Sequence, residues 1–290
     1  MQRSVLRLPT CLLFLLAFAH AASAWGVKGH TWVDDNAIEL MPEGELQDYM
    51  RAAYKDTSFY TLVPDFQLKD GESGKLEGPN HFLNIERLTD HGIDLAEIPT
   101  TREGASRLYT DLELGYWDVG WLPWRIQEMY LGLVNAFRAA PRDVNLYAGL
   151  LAHYAADATQ PLHTTVHYDG RADRVEDGVK FRKGIHFDYE ITFLEDHNIE
   201  FRESSLALAE PAQPIDDPFG AAMDTILEAN TYVDTLYDVA DRHWGDGKYE
   251  AWEPELADFT RERLAAASHL VASLWLSAWI EAGRPDLAAE

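Results

Sequence analysis

Apolar residues recur every three or four positions along much of the chain, the spacing of helices that bury one face. The clearest such segment follows Leu122 and stops before Pro141, and a second, with Asp143 as its N-cap, covers 144–158. The same periodicity predicts helices over 32–41, 219–244 and 254–282. Strand-type alternation is scarce, and the polar, glycine-containing stretches 65–76 and 170–183 predict loops. The pattern therefore predicts one all-α domain.

The first 24 residues have the pattern of a signal peptide. Two arginines precede an apolar run over 11–19, and Ala22-Ser23-Ala24 matches the small-residue cleavage pattern. The apolar run is too short to span a bilayer. We therefore expect a signal peptide over 1–24, a mature domain over 25–290, and a secreted or periplasmic protein. The only cysteine, Cys11, lies in the removed segment, so the mature chain is expected to contain no disulfide.

The chain is strongly acidic, with 24 basic and 49 acidic side chains and a formal net charge of −25. Such a charge repels polyanions at long range, which disfavours broad binding to nucleic acid or to anionic membranes. It does not exclude an anionic substrate at a site where divalent cations reverse the local potential.

Histidines and carboxylates stand at helical spacing in the middle of the chain. His153 and Asp157 form an i, i+4 pair, His163 ends a Gln-Pro-Leu-His sequence, and His186 and Glu190 repeat the pairing. All are usual zinc ligands. A single histidine–carboxylate pair is a weak signal of a metal site, because i, i+4 side-chain pairs also stabilise helices that bind no metal. Two pairs on either side of a Pro-Leu-His turn predict a metal cluster.

The predicted start of the mature chain adds further ligands. Cleavage would leave Trp25 with a free α-amino group, which with its own carbonyl oxygen can chelate a metal, and His30 follows five positions later. Asp65, which follows Pro64, and His81, in a Pro-Asn-His sequence, supply another carboxylate and imidazole.

These residues resemble the superfamily that joins the bacterial zinc-dependent phospholipases C to the fungal and plant single-strand-specific zinc nucleases. The resemblance covers nearly the whole mature chain, by motif from Trp25 to Glu190 and by helix pattern beyond. Its most specific parts are the N-terminal tryptophan and the His-x3-Asp-x5-His spacing of His153, Asp157 and His163. The resemblance implies an all-α, single-domain helix bundle whose cleft holds three zinc ions.

The resemblance also implies which residues hold each ion. The first zinc takes Asp65, His81, His153 and Asp157. The second takes His163, His186 and Glu190. The third takes the amine and carbonyl of Trp25, together with His30 and the bridging Asp157.

The resemblance further implies a catalytic role for one residue, and two residues near His81 are candidates for substrate binding. Asp65 is the expected catalytic residue, which orients the attacking water. Phe82 and Asn84 are the expected substrate-binding residues. Phe82 can stack on a base or contact a choline group, and Asn84 can either hydrogen-bond a base edge or have a purely structural role.

Two substrate classes share the features of this sequence. The short Trp-Gly-x-x-Gly-His opening is similar to the nucleases, whereas Glu190 is similar to the phospholipases, since the nucleases usually have an aspartate there. The nucleases' glycine-asparagine segment between the last two histidines is not evident. The expected function is therefore a secreted zinc-dependent phosphodiester hydrolase, with a slight preference for phospholipase C.

Two alternatives stay open. One is a single-strand-specific endonuclease acting on DNA and RNA, with 3'-nucleotidase activity, and the other is a non-catalytic zinc- or ligand-binding relative. The complete set of candidate ligands argues against the second. The expected partner is a phosphodiester substrate, either a phospholipid headgroup or single-stranded nucleic acid. No obligate protein partner is inferred, and the chain is expected to act as a monomer.

Overall fold

Helices make up nearly all the regular structure of the protein. The computed structural model describes residues 25–69, 71–196 and 201–287. The helices are α1 (Gly26–Leu40), α2 (Glu45–Ala52), α3 (Tyr54–Val63), α4 (Gly71–Glu77), α5 (Ile85–Thr89), α6 (Arg102–Asp111), α7 (Tyr116–Val119), α8 (Leu122–Ala139), α9 (Val144–Asp157), α10 (Ile185–Phe187), α11 (Arg202–Leu206), α12 (Pro218–Asn230), α13 (Val233–Arg242) and α14 (Lys248–Glu281). The predicted all-α class is confirmed. The predicted signal peptide lies outside the described residues, and the single mature domain stays a prediction.

Shorter elements connect these helices. Two segments, Pro64–Leu68 and Asp188–Asp196, have wider π-helical turns. Single 3-10 turns cover Gly78–His81, Leu95–Glu97, Pro141–Asp143 and Pro161–His163. Strands β1 (Arg171–Glu176) and β2 (Val179–Phe181) pair antiparallel, with a register irregularity between Arg171 and Val175.

Helix α9 is the central helix of the fold. It packs against α3, α8 and α14 and also contacts α1. Because its alanine- and leucine-rich sequence is apolar on nearly every side, it can be covered by neighbours all round. His153 and Asp157 lie on this helix and are fully buried. The core helix therefore carries two of the predicted ligands into the interior.

The long helix α14 forms one wall of the core. By length and composition alone it is apolar enough to cross a membrane, but 72% of its most apolar window is buried inside the fold. Such burial is typical of a core helix. Trp252 and Trp275 on this helix are fully buried, and the Trp275 indole donates a hydrogen bond to the Ala148 carbonyl of α9, at 3.1 Å.

Several predicted elements are wrong in detail. The predicted loop over 65–76 is mostly helical, because Pro64 begins one helical segment and α4 follows. The predicted loop over 170–183 is a hairpin, turned at Asp177-Gly178, where both residues have positive φ as in a type I′ turn. The single predicted helix over 219–244 is two, since the chain turns after Asn230, whose side chain donates to the Thr164 carbonyl at 3.1 Å.

The ends of two other helices differ from the prediction. Helix α1 begins at Gly26 rather than near Trp32, because the Glu195 carboxylate accepts a hydrogen bond from the Lys28 backbone N–H at 3.0 Å and so satisfies a free amide of its first turn. Helix α14 begins at Lys248, one and a half turns before Pro254, which lies inside the helix.

Candidate metal centre

Four of the predicted ligands meet between α9 and the turn that precedes α5. His81 Nδ1 lies 2.9 Å from Asp157 Oδ2 and 3.1 Å from His153 Nε2. Asp65 Oδ1 lies 3.8 Å from both His81 Nδ1 and His153 Nε2. The residues predicted for the first zinc are therefore brought together, although they come from three separate elements.

A second group forms around His163. Its Nδ1 contacts the backbone carbonyl of His81, and because a carbonyl oxygen only accepts, Nδ1 carries the proton. Its Nε2 therefore presents a lone pair, 3.2 Å from His186 Nε2 and 3.3 Å from Glu190 Oε1. His186 Nε2 is 2.6 Å from the same carboxylate oxygen. All three residues predicted for the second zinc meet here.

The third predicted group lies on the other side of Asp157. His30 Nε2 is 3.6 Å from Asp157 Oδ1, and the His30 ring stacks on His153 at 4.3 Å between centroids. His30 can also share an ion with Asp65 and His153, since one ligand atom of each lies within 4.8 Å of the others. Trp25 is held beside this group, because its indole Nε1 donates to the Ala156 carbonyl at 2.9 Å.

The Trp25 carbonyl oxygen already accepts the first hydrogen bond of α1, from Gly29 N at 3.0 Å. A carbonyl has a second lone pair, so this bond does not exclude the predicted chelate. The role of the Trp25 amine stays a prediction.

The chemistry of the donor set fits bound cations. Several buried atoms of these groups make no hydrogen bond among the described residues: both ring nitrogens of His30, Asp157 Oδ1 and Glu190 Oε2. Buried polar atoms usually have a partner, so this concentration at one place is unusual. Three buried carboxylates among five buried imidazoles also leave negative charge that divalent cations would compensate.

Burial sets the protonation of these groups. It lowers the pKa of His30 and of His186 to about 4, and it lowers the pKa of His81 and His153 well below the usual value. Neutral imidazole is the form that binds metal.

The carboxylates respond differently. Burial raises the pKa of Glu190 to about 8, and burial together with the charge of Asp65 raises the pKa of Asp157 well above its usual value. Burial would also raise the pKa of Asp65, but the Lys69 ammonium, with His153, holds it well below its usual value. A cation between the carboxylates would favour their charged forms.

Lys69 is a site residue that sequence reasoning missed. Its Nζ lies 2.5 Å from Asp65 Oδ1, and the lysine lines the cleft above the cluster. The two residues are four positions apart, a spacing that would have indicated a pair had the segment been predicted as helical.

The clusters open into a cleft of about 450 Å³. Phe82 and Asn84, the predicted substrate-binding residues, both line it. Trp117 forms a further wall, with its ring centroid 6.3 Å from that of Phe82 and its Nε1 donating to the Lys75 carbonyl at 3.0 Å. Trp117 is half exposed, whereas Asn84 is buried.

Asn84 lines the cleft, and its side-chain oxygen is buried without a hydrogen-bond partner among the described residues. Its Nδ2 donates to the Asp118 carbonyl at 2.8 Å, which fixes the orientation of the amide, and its Oδ1 accepts no hydrogen bond among the described residues. A ligand with an N–H or O–H group would satisfy this oxygen.

Comparisons with known proteins add little about function. No family model matches the chain. A curated protein from Bradyrhizobium tropiciagri, named as a serine protease, is 26% identical over 199 residues, which are 58% of this chain and 24% of that protein. The chain thus spans about a quarter of this relative's length. The name is inconsistent with phosphoric ester hydrolysis, but it describes a much longer protein.

A crystal structure of Clostridium perfringens alpha-toxin, from the avian strain SWCP, is similar in outline. It has a TM-score of 0.46 and 15% sequence identity, and the match covers 92% of this chain and 66% of that chain. Similarity at this level indicates nothing about the activity of this chain.

Proposed function

We propose that the protein is a zinc-dependent hydrolase that cleaves phosphodiesters. The observation that carries the proposal is the set of buried, overlapping histidine and carboxylate groups beside a single cleft. Nitrogen and oxygen donors of this kind suit zinc. Adjacent cation sites are typical of enzymes that displace an oxygen from phosphorus, because charge develops on both the attacking and the leaving oxygen.

The chain offers ligands for three ions. Asp65, His81, His153 and Asp157 would hold the first. His163, His186 and Glu190 would hold the second. His30 and the Trp25 amine and carbonyl, sharing Asp157, would hold the third.

Bound zinc would supply Lewis-acid activation of a phosphoryl group and of water. Within the chain, Asp65 shares a candidate ion site with His30 and His153 and lies 3.8 Å from His81 Nδ1, so a free carboxylate oxygen can orient a water molecule and accept its proton. Lys69 keeps that carboxylate ionised and holds a positive charge at the cleft. An ammonium there stabilises negative charge that develops on a phosphoryl oxygen.

The first substrate candidate is a phospholipid headgroup. Trp117, Tyr168 and Phe187 all line the cleft and expose 50%, 45% and 38% of their surface. Aromatic side chains with a polar edge are favoured where water meets lipid. The net charge of the chain is strongly negative, which disfavours the binding of a long polyanion.

The second candidate is single-stranded nucleic acid, and one observation favours it. The unsatisfied Asn84 oxygen would be left buried and unpaired by a choline headgroup, which carries no N–H. A nucleobase amino group, stacked on Phe82, would pair with it. An ethanolamine headgroup would pair with it as well.

Hydrolysis of bis(4-nitrophenyl) phosphate tests the proposal. We expect activity that is lost on treatment with a chelator and restored by zinc. His163→Ala should reduce turnover by orders of magnitude. His91→Ala is a matched control, because the His91 side chain is exposed and its one hydrogen bond among the described residues is to the Arg87 carbonyl of its own turn, at 2.8 Å. Activity that is insensitive to chelation and to His163→Ala would contradict the proposal.

The same preparation separates the two substrate classes. Vesicles of phosphatidylcholine, vesicles of phosphatidylethanolamine, and single-stranded DNA and RNA are compared at equal protein concentration. Release of the phosphorylated headgroup supports the lipid candidate. Cleavage of nucleic acid alone supports the nuclease candidate.

A further inference from the structure

The two ring nitrogens of His81 have different surroundings. Nδ1 faces the cluster, within 2.9 Å of Asp157 Oδ2. Nε2 faces away from it and lies 3.5 Å from Glu77 Oε1. Glu77 is the last residue of α4, one turn before His81, so the 3-10 turn Gly78–His81 places the carboxylate behind the ring.

Glu77 is itself held in place by three groups. The Tyr154 hydroxyl donates to Oε1, and Asn80 Nδ2 donates to Oε2 at 3.2 Å. Arg125 Nη2 lies 3.7 Å from Oε2 and also donates to the Tyr154 hydroxyl at 3.2 Å. The carboxylate is buried, with 9% of its side chain exposed, and the Arg125 guanidinium balances its charge.

We propose that Glu77 is a positioning residue that orients His81 as a metal ligand. The carboxylate, 3.5 Å from Nε2, would accept a hydrogen bond from Nε2–H when Nδ1 binds a metal, and so fix the tautomer in which the lone pair of Nδ1 points into the cluster. Metal-bound histidines commonly use their second nitrogen in this way, and the partner carboxylate both orients the ring and raises its basicity. The inference rests on the proposed metal-binding role of His81, and it adds a residue that belongs to none of the three ligand groups.

Helix α9 couples this arrangement to the cluster. Tyr154, which holds Glu77, follows the ligand His153 directly, and its ring packs against His81 with centroids 5.4 Å apart. One helix therefore supplies both a ligand and the support for the residue behind another ligand.

The test compares zinc affinity in the full-length, metal-loaded protein and three variants, by competition with a chromogenic chelator. Glu77→Ala should weaken one zinc by about 10- to 100-fold, the usual effect of losing such a partner. Glu77→Gln should weaken the binding of that zinc less, because the amide oxygen can still accept a hydrogen bond from His81 Nε2–H. Glu128→Gln is the matched control, since Glu128 Oε2 lies 3.7 Å from Arg125 Nη1, so the change removes an acidic neighbour of the same arginine without approaching His81.

A spectroscopic measurement separates positioning from general destabilisation. In cobalt-substituted protein, Glu77→Ala should shift the visible absorption of one metal, whereas Glu128→Gln should leave the spectrum unchanged. If Glu77→Ala does not fold, the cobalt spectrum and the zinc affinity of Glu77→Gln test the positioning role of Glu77 instead. Wild-type affinity and spectrum in the variant that folds would overturn the inference. Wild-type protein that binds zinc but cleaves no phosphodiester would contradict the proposed function and leave this inference standing.

Discussion

The distance between α3 and α9 should set the geometry of the metal centre, and Gly149→Ala tests this. A Cβ at Gly149 would lie 2.5 Å from the Thr57 carbonyl oxygen, 2.6 Å from Tyr60 Cβ and 2.7 Å from Thr61 N, whereas ordinary contact begins at 3.4 Å. Two of these atoms belong to backbone, so rotation of a side chain cannot relieve the overlap. The helices must separate by roughly 1 Å, since interiors are close-packed.

The magnitude follows from two opposing effects. Overpacking of this kind costs about 1–3 kcal/mol. Replacing glycine by alanine inside a helix stabilises the helix by up to about 1 kcal/mol. We therefore expect the free energy of unfolding to fall by up to about 2 kcal/mol in urea titrations. Zinc affinity should also fall, because Asp65 follows α3 whereas His153 and Asp157 lie on α9.

A matched control is available in Gly132→Ala on α8. There the three heavy atoms nearest to the added methyl group, at 2.3 to 3.1 Å, all belong to the ring of Tyr147, and this partly exposed side chain can rotate. We expect unfolding and zinc affinity close to wild type. Gly149→Ala with unchanged zinc affinity, even at reduced stability, would refute the idea that the α3–α9 spacing sets the site.

Three further predictions concern pH, substrate and metal. Burial raises the pKa of Asp34 from 3.8 to about 8, so the native state is favoured where this acid is protonated and loses stability as pH rises between these values. In urea titrations, the free energies of unfolding of Asp34→Asn and wild type should diverge from pH 4 to pH 7, by about 4 kcal/mol in favour of the variant. The same pH dependence in both proteins would contradict this prediction. Gly78→Ala should raise KM more than it lowers kcat, because the added methyl group would lie 2.3 Å from the Trp117 ring and displace that ring from the cleft. Unchanged steady-state kinetics would show that Trp117 does not contact the substrate. Asp157→Ala should release more zinc than His163→Ala in metal analysis, since only the aspartate reaches more than one group, and equal losses would argue against a bridging role.

Helical periodicity predicted the parts of the fold that bury a continuous apolar face. Helix α8 ends near Pro141 as predicted, and α9 follows Asp143 as predicted. The start of α1 could not be predicted, because Glu195, which satisfies an amide of its first turn, is distant in sequence. The hairpin carried a local signal in Asp177-Gly178, but its strands are too short and polar for alternation to show.

The candidate site was more predictable than the fold around it, since its residues keep fixed spacings. The i, i+4 pairs of His153 with Asp157 and of His186 with Glu190 are both found, the second on π-helical turns. Glu77 was missed because its role depends on the side chains packed behind His81, which no spacing in the sequence reveals.

The metal content of purified protein tests the central claim most directly. Protein whose chain begins at Trp25 is dialysed against metal-free buffer and measured by inductively coupled plasma mass spectrometry. We expect close to three zinc ions per chain, and a chelator should remove both these ions and the phosphodiesterase activity. Folded protein that hydrolyses phosphodiesters without stoichiometric metal would contradict it.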